Sequence, residues 1–270
     1  MSEFVLVFGL SADPIHVGHV ETVTQAYQAL TKLGIPVTRI LLLPTYRRNP
    51  VGAEKSRLPA TFTARYIMCA LAAQEISQRL KLPPQAVSVS DLEAELARKR
   101  RMPNYTAETL TLLKLRTAPN TGLLFLLSSE LVAGEVPQFS RWYHPLAIAR
   151  LAFLAIVPRP GYEPNRRFLS ALRQRGARVI MLEDVQTPAI SSSAIRRRLR
   201  HGESVVALAS QGLLTPLVAR FLSRHPLYAS LRSEETSIHG MRDSGGGHGP
   251  LPRRCRPRSG EGNALNLWHR

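Results

Sequence analysis

Two short stretches carry most of the polar side chains that could meet a reactive anion. The first is His16-Val17-Gly18-His19, which follows the apolar run Phe4-Val5-Leu6-Val7-Phe8-Gly9 and opens a helical pattern. Free backbone N–H groups at such a strand-to-helix junction form an anion site, and the histidines add ring donors. Gly18 removes a side chain between them, so a phosphate can lie close. Gly9 permits a tight turn, and Asp13-Pro14 shapes the loop ahead of the pair. Zinc is the rival use of two histidines, but no third ligand and no cysteine cluster stands near them. The second stretch is Ile190-Ser191-Ser192-Ser193-Ala194-Ile195-Arg196. Serines at a helix start cap N–H groups or hydrogen-bond a phosphate held there, and Arg196 lies one turn further in. On its own this stretch also reads as an ordinary capped, basic surface helix.

The elements that must position these residues alternate. Strands are expected at 4–8, 39–43, 87–89, 123–127, 151–157 and 178–182, as short apolar runs suited to burial on both faces. Helices are expected at 18–33, 60–80, 106–115, 165–175 and 192–201. This pattern predicts an α/β fold: a Rossmann-like, doubly wound parallel sheet with helices on both faces. Ligands of such sheets bind at the carboxyl ends of the strands, near the switch point. Both polar stretches follow strand candidates, so two phosphate cradles would face one cleft, which suits a triphosphate.

Composition sets the outer limits. The 270 residues suit one large domain, or one domain and a tail, and 44% of them are hydrophobic. No run reaches the length of a membrane span. The sequence Met-Ser-Glu-Phe lacks the basic start of a signal peptide, and a cytoplasmic protein is expected. Cys69 and Cys255 make no disulfide framework. A net charge of +17, with 31 Arg against 5 Lys, favours anionic partners such as phosphates, nucleotides or nucleic acid. Composition breaks after Tyr228: residues 229–270 hold 7 of the 17 glycines and an Arg cluster at 252–258. A domain over 1–228 and a disordered basic tail over 229–270 are expected.

The two stretches together resemble the nucleotidyltransferase superfamily marked by His-x-Gly-His and a later Ile-Ser-Ser-Thr-x-x-Arg. Within it, residues 103–110 (Pro-Asn-Tyr-Thr-Ala-Glu-Thr-Leu), Arg141-Trp142-Tyr143, Pro158-Arg159-Pro160-Gly161-Tyr162 and the segment from Thr215 to Tyr228 resemble nicotinate-nucleotide adenylyltransferases. That resemblance implies transfer of AMP from ATP to nicotinate mononucleotide, giving deamido-NAD and pyrophosphate, with Mg²⁺ accompanying ATP. It implies His16, His19 and Arg196 as the catalytic group. ATP would be held by Gly9, Ser11, His16, Gly18, His19, Glu130, Ser192, Ser193 and Arg196. Nicotinate mononucleotide would be held by Tyr105, Thr106 and Trp142. The physics agrees: the face of Trp is the best aromatic partner of a pyridinium, and a helix start near Thr106 suits a carboxylate. A core or loop anchor is the other reading of Trp142. The reaction needs no protein nucleophile, only positioning and charge stabilisation, which fits a chain with no triad.

Three departures stand out. Leu10 replaces a second glycine, Ser128-Ser129-Glu130 stands where the family has Gly-Ala-Asp, and a Pro-x-Lys element is replaced by Tyr46 to Pro50 or by Lys55. The rival functions are transfer to nicotinamide mononucleotide or phosphopantetheine, and an inactive nucleotide-binding regulator whose basic tail contacts nucleic acid.

Overall fold

The computed structural model describes residues 3–46, 58–99 and 104–228. These belong to one compact unit within Met1–Arg232. The expectation for the tail, and that for residues 47–50 and Lys55, lies outside the described residues.

Six strands form one parallel sheet: β1 (Glu3–Leu10), β2 (Val37–Pro44), β3 (Val87–Val89), β4 (Thr121–Ser128), β5 (Phe153–Val157) and β6 (Val179–Met181). Their order is β3-β2-β1-β4-β5-β6, so the switch point lies between β1 and β4. In register, Phe8 stands beside Leu42 and Leu126, and Ser128 beside Val157. The residues that follow β1, β4 and β5 therefore emerge at one edge.

The alternation along the central strands explains the two cores. Leu6, Ile40, Leu42, Leu124 and Leu126 face one side, with α1 (Val17–Lys32), α2 (Phe62–Leu80) and α7 (Ser192–Arg200) supplying the cover together with α8 (Val205–Ser210) and α9 (Pro216–Arg224). Val5, Val7, Leu41, Leu43, Leu123, Phe125 and Leu127 face the other, under α3 (Leu92–Lys99), α4 (Thr106–Arg116), α5 (Pro145–Leu151) and α6 (Arg166–Gln174). A strand buried on both faces shows a continuous apolar run rather than alternation, because each face needs its own apolar set.

The doubly wound parallel sheet is as the sequence predicts. Most strand ends shift by one or two residues, and α3, α5 and α8 are not among the expected helices; at β5, Leu151 ends α5 and the strand starts only at Phe153. The helical spacing of Leu146, Ala149 and Ile148 is hidden in sequence because it runs into the apolar strand without a polar break. Among the described residues, no helix is long and apolar enough to cross a membrane.

Candidate active site at the carboxyl edge of the sheet

The chain leaves β1 through Ser11, turns at Ala12 with φ +53°, and passes Asp13-Pro14 through a cis peptide bond. The left-handed residue is thus Ala12. Gly9 lies inside β1, and a Cβ there would meet the Phe125 ring at an ordinary 3.5 Å. The expectation that Gly9 makes a tight turn is corrected: the turn falls three residues later. Leu10 is buried in the core, so its side chain does not enter the loop.

His16 is the N-cap of α1, with extended backbone, and is 4% exposed. Its N–H donates to Nδ1 of His19 at 3.2 Å, and the two rings lie 3.7 Å apart, tilted by 31°. Because His19 Nδ1 accepts, a neutral His19 carries its proton on Nε2, leaving that N–H as a donor. Burial holds His16 far below the usual histidine range, helped by the neighbouring His19 and by the Arg159 cation. Burial, then Arg159, lowers His19 to about 4. Both rings are therefore neutral donors at pH 7 without ligand. An arriving polyphosphate favours the charged form. We expect an NMR titration to place His19 near 4 in the free protein and to move it upward with tripolyphosphate; a free-protein midpoint near the ordinary ~6.5 would contradict this environment.

Gly18 packs against the His16 ring. A Cβ there would stand 3.1 Å from Cε1 and Nδ1 of His16, with Ile190 Cβ behind it at 3.5 Å. The space it vacates is filled by the His16 ring, which rests against it. Gly18→Ala gains helix propensity but must push the buried His16 ring aside, so the two effects oppose each other in the melting temperature. By displacing the His16 ring it should lower kcat about 10-fold, a small-misplacement effect. Unchanged kcat would show that the ring position does not matter.

The second polar stretch arrives at the same place. Ser191 caps α7, accepting from the Ala194 N–H at 3.1 Å. Ser192 Oγ donates to the Pro14 carbonyl at 2.9 Å. Arg196 donates to the Asp13 carbonyl and, through Nη2, to Ser193 Oγ at 3.2 Å. Ser192 and Arg196 thus join the start of α7 to the loop that opens α1, and two helix N-termini meet at one edge.

This loop is held by residues that sequence reasoning missed. Arg65 of α2 is 1% exposed and donates to the carbonyls of Ser11 (2.8 Å), Thr45 (2.7 Å), Tyr46 (3.2 Å) and Ala60 (3.3 Å). Asp13, wholly buried, accepts at Oδ1 from Tyr228 Oη (2.8 Å) and the Ala60 N–H (3.3 Å). A signal for Arg65 existed: it shares a helical face with Met68, Cys69, Ala72 and Ile76, where a charge has no bland reason to sit.

Glu130 follows β4 and pairs with Arg159, which follows β5, at 2.7 Å. The residues predicted for a mononucleotide form a separate group. Tyr105 is the N-cap of α4, and its ring stacks on Tyr143 at 4.3 Å; Thr106 is the first residue of that helix. Trp142 is half-buried against Phe125 and Phe139, with centroids 6.3 and 5.2 Å away. Phe125 is also the ring beside Gly9, so the aromatic group adjoins the β1 exit.

The family model described as cytidylyltransferase-like matches residues 7–198, which include both polar stretches. The chain belongs to this family. Among its curated cytidylyltransferase-like relatives, a probable nicotinate-nucleotide adenylyltransferase of Anaeromyxobacter dehalogenans is 31% identical over 224 residues, covering 83% of this chain and 96% of the relative. A probable nicotinate-nucleotide adenylyltransferase of Pectobacterium atrosepticum is 28% identical over 242 residues, covering 84% and 100%. The Plasmodium falciparum nicotinic acid mononucleotide adenylyltransferase complexed with NaAD superposes with a TM-score of 0.63 over 84% of this chain and 97% of that one, and at 18% identity it bears on the fold. This cytidylyltransferase-like chain is a nucleotidyltransferase.

Proposed function

We propose that the chain transfers AMP from ATP to nicotinate mononucleotide, releasing pyrophosphate and forming deamido-NAD, in the cytoplasm. The observation that carries this reading is the meeting of the α1 and α7 N-termini around the His16–His19 pair at the switch point. The curated relatives, whose lengths the chain spans almost fully, supply the choice of reaction.

A phosphate oxygen of the mononucleotide attacks the α-phosphorus of ATP. The bond from that phosphorus to the bridging oxygen breaks, and pyrophosphate leaves with the electron pair. His19 donates its Nε2–H to the phosphate oxygen on which charge changes. His16 is the buried neighbour that orients His19 through its N–H, and Arg196 brings positive charge. Ser11, Gly18, Ser192 and Ser193 shape the backbone cradle, with Gly9 at its floor. Among the described residues there is no group of three or more His, Cys, Asp or Glu that could hold a metal ion. Mg²⁺ enters this reading as the ion carried by ATP's phosphates.

Tyr105, Thr106 and Trp142 receive the mononucleotide. A charged pyridine ring on Trp142 is worth about 0.5–2 kcal/mol. Trp142→Ala should raise KM for nicotinate mononucleotide roughly 2–30-fold, at 1.4 kcal/mol per factor of ten, and leave KM for ATP nearly unchanged. Trp142 as a core anchor on Phe125 and Phe139 instead predicts a lowered melting temperature and equal damage to both KM values. Pyrophosphate release from ATP, with nicotinate mononucleotide, nicotinamide mononucleotide and phosphopantetheine offered in turn, tests the function itself. Nicotinate mononucleotide should support the fastest release.

A further inference from the structure

The Arg159–Glu130 pair occupies an unusual place for a surface ion pair. Its residues follow adjacent strands, β5 and β4, at the edge where β1 delivers the histidines. Two strand spacings, about 10 Å, separate β5 from β1, so the Arg159 side chain extends toward the β1 exit and an anion bound there would lie between them.

The backbone beneath this pair is fixed, while its head groups hold each other at 2.7 Å and the guanidinium lies over the Tyr162 ring, 5.8 Å from its centroid. Ser129 is fully buried; its Oγ accepts from the Arg159 N–H at 2.9 Å and donates to the Tyr162 carbonyl at 2.8 Å. The Tyr162 N–H donates to the Arg159 carbonyl at 3.0 Å, closing a tight turn through Gly161 with φ +82°. Above that anchor the side chains of Arg159 and Glu130 are 40% and 38% exposed. An ion pair so open to water is worth little and exchanges readily. The Arg159 cation disfavours protonation of both His16 and His19, in keeping with its place at the same edge of the sheet.

We infer that Arg159 is a further polyphosphate-binding residue, which Glu130 holds in the empty site and which an incoming polyphosphate draws away. A tripolyphosphate carries more negative charge than one carboxylate and offers the guanidinium bidentate oxygens. Glu130 therefore acts as a placeholder counter-ion that competes with the ligand. This rests on the reading of this edge as the phosphate site.

Calorimetric titration of the full chain with inorganic tripolyphosphate tests it. Arg159→Ala should weaken binding about 10–100-fold, the loss of charge-assisted hydrogen bonds. Glu130→Gln should tighten it, up to about 5-fold, by removing a competitor. The double variant should bind like Arg159→Ala. Should Arg159→Ala fold poorly by its melting curve, Arg159→Lys keeps the charge without the fork and should bind at an intermediate strength. Arg220→Ala on α9 controls for general basic charge. Unchanged binding in Arg159→Ala, an equal loss in Arg220→Ala, or weakening by Glu130→Gln would overturn the exchange. If the wild-type chain releases pyrophosphate but Arg159→Ala binds normally, only the role of Arg159 fails. A wild-type chain that binds no tripolyphosphate overturns the phosphate reading with it.

Discussion

His19→Ala should lower kcat on the order of 10²–10³-fold, the cost of one preorganised donor at a developing charge. The ring does two things that alanine does neither of: Nε2–H is free to donate, and Nδ1 accepts the His16 N–H. Loss of the latter bond costs about 0.5–1.5 kcal/mol of stability, so the variant should still fold. Steady-state kinetics beside a melting curve separates the two effects. A folded His19→Ala enzyme within a few-fold of wild-type kcat would remove the histidine from the chemistry.

Arg65→Met should be the most damaging change away from the reacting groups. It keeps a flexible, unbranched, apolar stem but removes every donor to the carbonyls of Ser11, Thr45, Tyr46 and Ala60. Breaking a buried charged network of this kind costs about 3–5 kcal/mol, which corresponds to a melting-temperature drop of roughly 6–20 °C in a domain of this size. Since Ser11 opens the loop to His16, KM for ATP should rise as well. Arg65→Lys should recover only part of either loss, because one ammonium cannot span four carbonyls. A melting temperature within about 2 °C of wild type, under 1 kcal/mol, would show that these carbonyls find other partners.

What the sequence revealed and what it hid have separable causes. The central strands were legible because burial on both faces demands unbroken apolar runs, as in Val5 to Phe8 and Leu123 to Leu127. The two polar stretches were legible because glycine, histidine and serine at strand-to-helix junctions have few bland uses. Their meeting was not, since it depends on single contacts such as Ser192 to Pro14 that span 178 residues of chain. The contact between Gly18 and His16 was hidden for a similar reason: the His16 ring turns back over its own helix start, which spacing does not encode. The pairing of Glu130 was hidden because its partner Arg159 sits 29 positions away, on the neighbouring strand's exit. Leu10, standing where the family has a second glycine, is accommodated because its side chain falls on the core side of β1.

The central claim is that this edge joins an adenylate to a pyridine mononucleotide. Incubating the purified chain with ATP, Mg²⁺ and an equimolar mixture of nicotinate and nicotinamide mononucleotides, then resolving products by mass, tests it directly. Deamido-NAD should be the main dinucleotide, formed in step with pyrophosphate and lost in His19→Ala. NAD as the main product, or pyrophosphate release with no dinucleotide formed, would contradict it.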